Sequence, residues 1–278
     1  MPYARYGKTF RALREQKHLP LSFFNKPNIG LSKSTLGRFE RGETMISFDK
    51  LDVALQEMNV SLSEYEYFVN DFILDFQEEI LLEIEESDFK SDTEKLKTLS
   101  NEAISTGYPL LAYASKSCYS NLDLEEQEEV LDYLYGIEKW GYFEISLLYF
   151  TVSKLAEQEI VYLVKQFWER NENILGLFRY RRRILQTAYR AVGVLCLRGE
   201  KKLAFELLNQ SIEENKEKDF FISVLHLFVL GLYTYCFEED QKGIQFGRKA
   251  LNLISDLGDE QLKAYYVNRY KDFSLCLK

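Results

Sequence analysis

The 278 residues are 46% hydrophobic and 15% aromatic, with four prolines and fourteen glycines. That supplies core for two ordinary domains and excludes a disordered or collagen-like chain. The net charge of −9 is unevenly spread: residues 1–41 hold nine basic and two acidic side chains, a net of +7, and the remainder carries −16. A basic head on an acidic body engages a polyanion through one surface only.

In chain order, Tyr6, Phe10 and Leu13 mark the buried face of a first helix ending near Lys17. Leu19-Pro20-Leu21-Ser22-Phe23-Phe24 opens a short second helix, which must stop before Pro27 because proline disfavours helix in the preceding residue. Ser32 is the natural N-cap of a third helix running to Arg41 and closed by Gly42. Ser47 and Ser61 cap a fourth and a fifth. From Glu64 to Glu86, Tyr65, Phe68, Phe72, Phe76, Ile80 and Leu81 recur at helical spacing without proline or glycine, which predicts one long connector helix. The domain boundary falls near residue 66, giving 1–66 as a small domain holding the basic head and 67–278 as a second, acidic domain.

Beyond residue 90, helices are predicted at 93–105, 107–119, 124–138, 141–154, 156–175, 178–198, 200–216, 219–237, 240–257 and 259–277. Shifting the chain by forty residues superposes Cys196, Cys236 and Cys276, and Ala191 with Gly231. Helix pairs repeating at that interval read as a tetratricopeptide-like solenoid, because each pair exposes an apolar face that only a neighbouring pair covers. The expected fold class is therefore all-α, a five-helix helix-turn-helix domain joined by a linker helix to helical repeats. The four cysteines, including Cys118, sit among apolar residues and read as buried reduced thiols. No signal-peptide pattern and no uncharged bilayer-length run is read, so a cytoplasmic protein is expected.

The third helix carries the chemistry of the head. Ser32 and the free amides of the helix start suit a phosphate, Lys33, Ser34 and Thr35 suit base edges, and Arg38 suits a guanine edge or the backbone. Arg11 and Arg14, placed on the exposed side of the first helix, are candidates for a flanking phosphate or the minor groove. A small helical adaptor with a merely solvated third helix is the competing reading of charge and spacing.

In the body, the forty-residue shift brings Gln186, His226 and Tyr266 to equivalent places, and likewise Gly193, Tyr233 and Phe273. Arg182 and Tyr189 lie one turn away, and extending the shift backwards adds Ser146, Tyr149 and Ser153. Stacked helices would line these up as an aromatic and polar groove fit for an extended apolar peptide. Ordinary core is the alternative for each of these side chains. The cluster Arg179, Arg181, Arg182 and Arg183 captures a peptide carboxylate, bridges to acidic neighbours, or is solvated. Enzyme motifs are absent: there is no phosphate loop, dinucleotide glycine pattern, nucleophile elbow or His-Glu-x-x-His. The two histidines, His18 and His226, lack ligand-spaced neighbours, so neither a metal nor a cofactor is expected.

The run Gly7-Lys8-Thr9-Phe10-Arg11-Ala12-Leu13-Arg14-Glu15, with Leu31 to Glu43 and above all Arg38-Phe39-Glu40-Arg41-Gly42, resembles the helix-turn-helix of the Rgg/GadR/MutR regulators of Gram-positive bacteria. The chain departs from the wider phage-repressor-like superfamily at Asn25 to Gly30, where an alanine-rich second helix is missing. The resemblance implies a homodimeric transcription factor, with RNA polymerase as a further partner, whose repeat domain binds a short, mostly apolar, secreted and reimported pheromone peptide for quorum sensing. A cysteine after the recognition helix, which links subunits in some members, is replaced here by Thr44-Met45-Ile46. Two other readings stay open: a ligand-independent regulator whose repeats only dimerise or recruit partners, and a phosphatase-like or protein-inhibiting repeat protein whose head has lost DNA binding.

Overall fold

The computed structural model describes residues 3–72, 75–170, 176–214, 219–257 and 259–275, and every regular element among them is helical. The chain divides into two compact units, Met1–Phe76 and Gln77–Lys278, so the first unit extends ten residues past the expected boundary at 66.

In the first unit, α1 (Ala4–Gln16), a single 3-10 turn (Leu21–Phe24), α2 (Lys33–Glu40), α3 (Phe48–Gln56) and α4 (Leu62–Val69) enclose an aromatic core. The rings of Phe24 and Phe39 lie 5.5 and 5.6 Å from that of Phe10, and Leu36, Leu55 and Met58 are buried with them. The expected second helix is only this 3-10 turn. Pro27 blocks its extension, and the amides of Ile29 and Gly30 both return to the Lys26 carbonyl at 3.1 and 2.9 Å. The turn is fastened to α3 by Lys26, whose Nζ lies 2.5 Å from Glu57 and 4.1 Å over the Phe23 ring. Gly7 lets α1 and α2 cross closely, since a Cβ there would overlap the Phe39 carbonyl. Gly42, at φ +74, ends α2 in the left-handed conformation that costs glycine nothing.

The predicted continuous connector from 64 to 86 is broken. Asn70 closes α4, Asp71 and Phe72 take φ values of 51 and 60, and the Phe72 amide donates to the Tyr67 carbonyl at 2.7 Å. Asp tolerates this left-handed turn, and the Phe72 ring folds back onto Phe68 at 5.2 Å, so the reversal keeps its apolar contact. The helix resumes as α5 (Phe76–Lys90).

The second unit continues with α6 (Thr93–Ser105), α7 (Pro109–Tyr119), α8 (Leu124–Gly136), α9 (Tyr142–Thr151), α10 (Glu157–Arg170), α11 (Phe178–Leu197), α12 (Lys201–Glu214), α13 (Phe220–Phe237), α14 (Asp240–Asp256), α15 (Glu260–Arg269) and α16 (Lys271–Leu275). Consecutive helices form pairs, closest in α6/α7, α11/α12 and α13/α14. Helices α7, α9, α11 and α13 stack in series, each on the next, while α10 meets α12. That is the solenoid arrangement the forty-residue interval predicts. Arg198 bridges successive pairs, donating to the Leu155 carbonyl at 2.7 Å, and Lys165 pairs with Glu206 at 2.8 Å. The predicted final helix is split at Tyr270, which caps α15.

Inside a solenoid, first helices are covered on two sides and become apolar nearly all round. α13 carries this furthest: its 18 residues have a mean hydropathy of 1.9, long and apolar enough to cross a membrane by length and composition, yet half of the helix is buried within the repeats. It contradicts the reading that no run is long enough. Cys118 is half-buried and Cys196 buried as expected, whereas Cys236 is exposed; Cys276 lies outside the described residues.

Candidate functional site

Each unit holds one candidate surface. In the first, Ser32 caps α2: its Oγ accepts from the Thr35 amide at 3.1 Å and lies 2.8 Å from the Thr35 hydroxyl. Because Leu36, Gly37, Phe39 and Glu40 turn inward, Lys33, Ser34, Thr35 and Arg38 are left together on the exposed face. Arg41, which the sequence reading passed over, is exposed beside them. Arg41 donates to Glu43 at 2.6 Å and Arg38 lies 3.6 Å from it; the Arg41 hydrogen bond holds Glu43 below the usual carboxylate range. Arg11 is exposed and pairs with Glu15 at 2.8 Å. The helix start, its hydroxyls and three cations thus face outward as one polar surface.

Arg14 does not belong to it. The side chain is buried rather than exposed, and its guanidinium grips Glu40 through two bonds of 2.6 and 2.9 Å while donating to the Leu19 carbonyl at 2.7 Å. The Glu40 hydrogen bond raises the Arg14 pKa further above its ordinary value. With its forward-facing donors consumed, Arg14 braces α1 against α2 instead of reaching a phosphate. Helical spacing alone could not reveal this, because the partner lies 26 positions away.

In the second unit, α5, α9, α11, α13 and the start of α15 surround an open cavity of about 650 Å³. Phe89, Tyr142, Phe178, Phe221 and Leu262 give it apolar walls, and Arg179, Arg182, Arg183, Gln186, Glu85 and Glu86 give it polar ones. Its volume lies within the usual range for small-ligand sites. Arg183, buried, makes a bidentate pair with Glu85 at 2.8 and 2.5 Å and donates to the Tyr142 hydroxyl at 3.0 Å. Arg179 pairs with Glu78 and lies 3.7 Å over the Tyr142 ring. Arg182 is 3.4 Å from Asp219 and 4.8 Å from the Phe221 ring. Arg179, Arg182 and Arg183 of the arginine cluster therefore bridge to acidic neighbours, one of its three sequence readings.

Of the ten side chains predicted to line a peptide groove, Arg182 and Gln186 line this cavity. Tyr149, Gln186 and Tyr266 line a much smaller space adjoining it through Gln186. The other six are placed elsewhere, Ser146 fully buried on α9 among them. Tyr189 is fully buried, its ring 5.5 Å from that of half-buried His226, whose pKa burial lowers. Tyr233 is buried against Phe205 and Phe237, and Phe273 lies in the core against Phe228 and Tyr235. Ser153 lies in a 3-10 turn after α9, its carbonyl accepting from Arg198 at 2.9 Å. Equivalent positions along a solenoid share a height on the helix without sharing the face that meets the cavity. Glu85, Phe89, Tyr142, Phe178 and Phe221 were missed; the dense arginines of α11 were the signal, and the acidic face of α5 should have been matched to them.

A capped, polar-faced helix behind a tight turn, followed by a stack of helix pairs around a ligand-sized cavity, defines a helix-turn-helix protein with a helical-repeat body. The chain belongs to the Rgg family of transcriptional regulators: the family described as HTH-type transcriptional regulator Rgg, C-terminal domain, matches residues 83–268. Among solved structures, the SHP pheromone receptor Rgg2 of Streptococcus dysgalactiae superposes with a TM-score of 0.77 at 23% identity, over 96% of this chain and 99% of that one. A protein from Listeria monocytogenes EGD-e gives 0.79 at 18% identity over 98% and 97%. The PrgX/cCF10 complex gives 0.69 at 13% identity over 99% and 94%. At these identities the likeness establishes the shared fold.

Proposed function

We propose that this Rgg-family regulator binds specific promoter DNA through α2 and is controlled by a short, mostly apolar signalling peptide held in the repeat domain. Residues 1–66 carry the DNA contacts, and 67–278 carry peptide binding and dimerisation. Arg11, Ser32, Lys33, Ser34, Thr35 and Arg38, joined by Arg41, form the DNA surface. Phe178, Arg182, Gln186, Phe221 and Leu262 form the peptide contacts. The protein acts in the cytoplasm as a homodimer without a catalytic step, and RNA polymerase is a further partner.

The observation that carries the reading is the 650 Å³ cavity with aromatic walls and a row of guanidinium and amide groups along α11. An extended apolar peptide needs both, rings for its side chains and polar groups for its backbone. The likeness to a receptor described as binding the SHP pheromone, and to PrgX solved with cCF10, supports the same ligand class. The peptide works as a switch only by binding one arrangement of the dimer more tightly than another.

The test is thermal denaturation with a panel of short Leu/Ile/Val/Phe peptides, paired with gel shifts on the gene's own promoter. The reading predicts that at least one peptide raises the melting temperature and alters the shift. A salt-dependent DNA shift that no peptide changes would favour a regulator whose repeats only assemble it.

A further inference from the structure

Deeper in the second unit, the buried guanidinium of Arg190 and the half-buried one of Arg269 share one buried carboxylate. Asp88 on α5 accepts from the Tyr265 hydroxyl at 3.0 Å, and Arg269 and Arg190 approach it at 3.4 and 3.6 Å. Arg190 is only 5% exposed, and its Nε and Nη2 have no hydrogen-bond partner among the described residues. Its face lies 4.5 Å over the Tyr149 ring, which offsets part of the desolvation but none of the missing hydrogen bonds. Burial and the nearby Arg190 push Arg269 below the usual arginine range.

Arg190, Arg269 and Tyr265 border a small space, about 10 Å³, that Tyr149, Tyr266 and Tyr270 also line and that shares Gln186 with the wall of the large cavity. That is room for roughly one water-sized group, or one oxygen of a carboxylate whose other atoms remain outside. The α11 arginines at the rim are already matched to Glu78, Asp219 and Glu85, whereas Arg190 keeps two donors unspent.

We propose that Arg190, with Arg269 and Gln186, is a carboxylate socket at the inner end of the ligand cavity. One carboxylate from the ligand enters it, bringing the buried charges to two cations and two anions. The proposal rests on the peptide reading and narrows it: the peptide presents either its C-terminal carboxylate or an Asp or Glu side chain at that end.

The test compares full-length wild type, Arg190→Gln and Arg190→Lys by thermal shift. Sodium formate, replacing chloride at constant ionic strength, is the small probe. The peptide probes are pools of short Leu/Ile/Val/Phe sequences as free acids, as C-terminal amides, and as amides with one internal Asp. Formate is expected to stabilise the wild type and Arg190→Lys but not Arg190→Gln. Without added anion, Arg190→Gln is expected to melt no lower than wild type, since Asp88 keeps Arg269 and Tyr265. Carboxylate-bearing pools are expected to bind wild type at least about tenfold more tightly than plain amides, as charge-assisted hydrogen bonds require. Preference for the free acid identifies the C-terminus, and preference for the Asp amide identifies a side chain.

Peptides that bind equally in all three forms, with no formate effect, would overturn the socket and leave the peptide reading standing. Formate discrimination without binding of any peptide would overturn the peptide reading and leave the socket. Should Arg190→Gln fail to fold, the formate titration and the acid–amide comparison on wild type decide, and indifference to both overturns the proposal.

Discussion

Breaking the Arg14–Glu40 pair separates a structural brace from a DNA contact. Both side chains are at most 9% exposed and joined by two short bonds, so removing either one strands a charge inside the head. Glu40→Leu leaves the guanidinium with the Leu19 carbonyl and the 3.3 Å contact to Glu15. Arg14→Met leaves Glu40 without its only strong partner among the described residues. Each single change should cost about 3–5 kcal/mol, whereas the double variant Arg14→Met/Glu40→Leu should return to within about 1 kcal/mol of wild type, because a buried pair replaced by apolar groups is often neutral. Hydrogen exchange of α1 and α2 amides in the full-length protein reads these energies for the head. DNA binding of the double variant across a salt series supplies the discriminating result. A brace predicts an unchanged slope of log affinity against log salt. A phosphate contact by Arg14 would remove about 0.9 from the slope's magnitude. A stable double variant with that smaller slope would refute the assignment.

Lys33→Ala with Arg38→Ala should abolish the gel shift on the gene's promoter while leaving the melting temperature unchanged, both side chains being exposed on α2; a shift of unaltered strength would remove α2 as the recognition element. Gly7→Ala should destabilise the head by about 1–3 kcal/mol, as overpacked contacts do, because its methyl group would meet the Phe39 carbonyl; urea unfolding followed by α1 exchange measures it. His226 contributes stability that is present above its unfolded pKa of about 6.5 and is lost as pH falls towards its lowered folded value, since the unfolded chain takes up the proton first. His226→Phe, which preserves the ring against Tyr189, should flatten that acid-side loss. Parallel stability–pH curves for the two proteins would show that another group is responsible.

The helices were legible wherever a cap and an apolar rhythm agreed. Thr93–Ser105 begins at Asp92, whose carboxylate accepts from the Lys95 amide at 3.0 Å, and its predicted limits match those observed. The outward face of α2 was equally legible, because Leu36 and Phe39 fix which side is buried and the short polar residues follow. Breaks without proline or glycine were invisible: Asp71–Phe72 and Tyr270 interrupt helices through left-handed or capping geometry that a continuous apolar rhythm conceals. The ligand cavity was half legible. Its arginines stood out in an acidic domain, but their partners Glu78, Glu85 and Asp219 are distant in sequence or hidden among many surface carboxylates. The forty-residue interval located equivalent helices correctly, yet Tyr189, Tyr233 and Phe273 point into core. On helices as apolar as α13, periodicity cannot tell the cavity face from the packed ones.

Photo-cross-linking tests the central claim most directly. A pool of short Leu/Ile/Val/Phe peptides bearing a photoreactive ring is irradiated with the full-length protein, and the adducts are mapped by peptide sequencing. The account predicts adducts concentrated at Phe178, Gln186, Phe221 and Leu262, competed away by unlabelled peptide. Competable adducts confined to surfaces away from this cavity would contradict it.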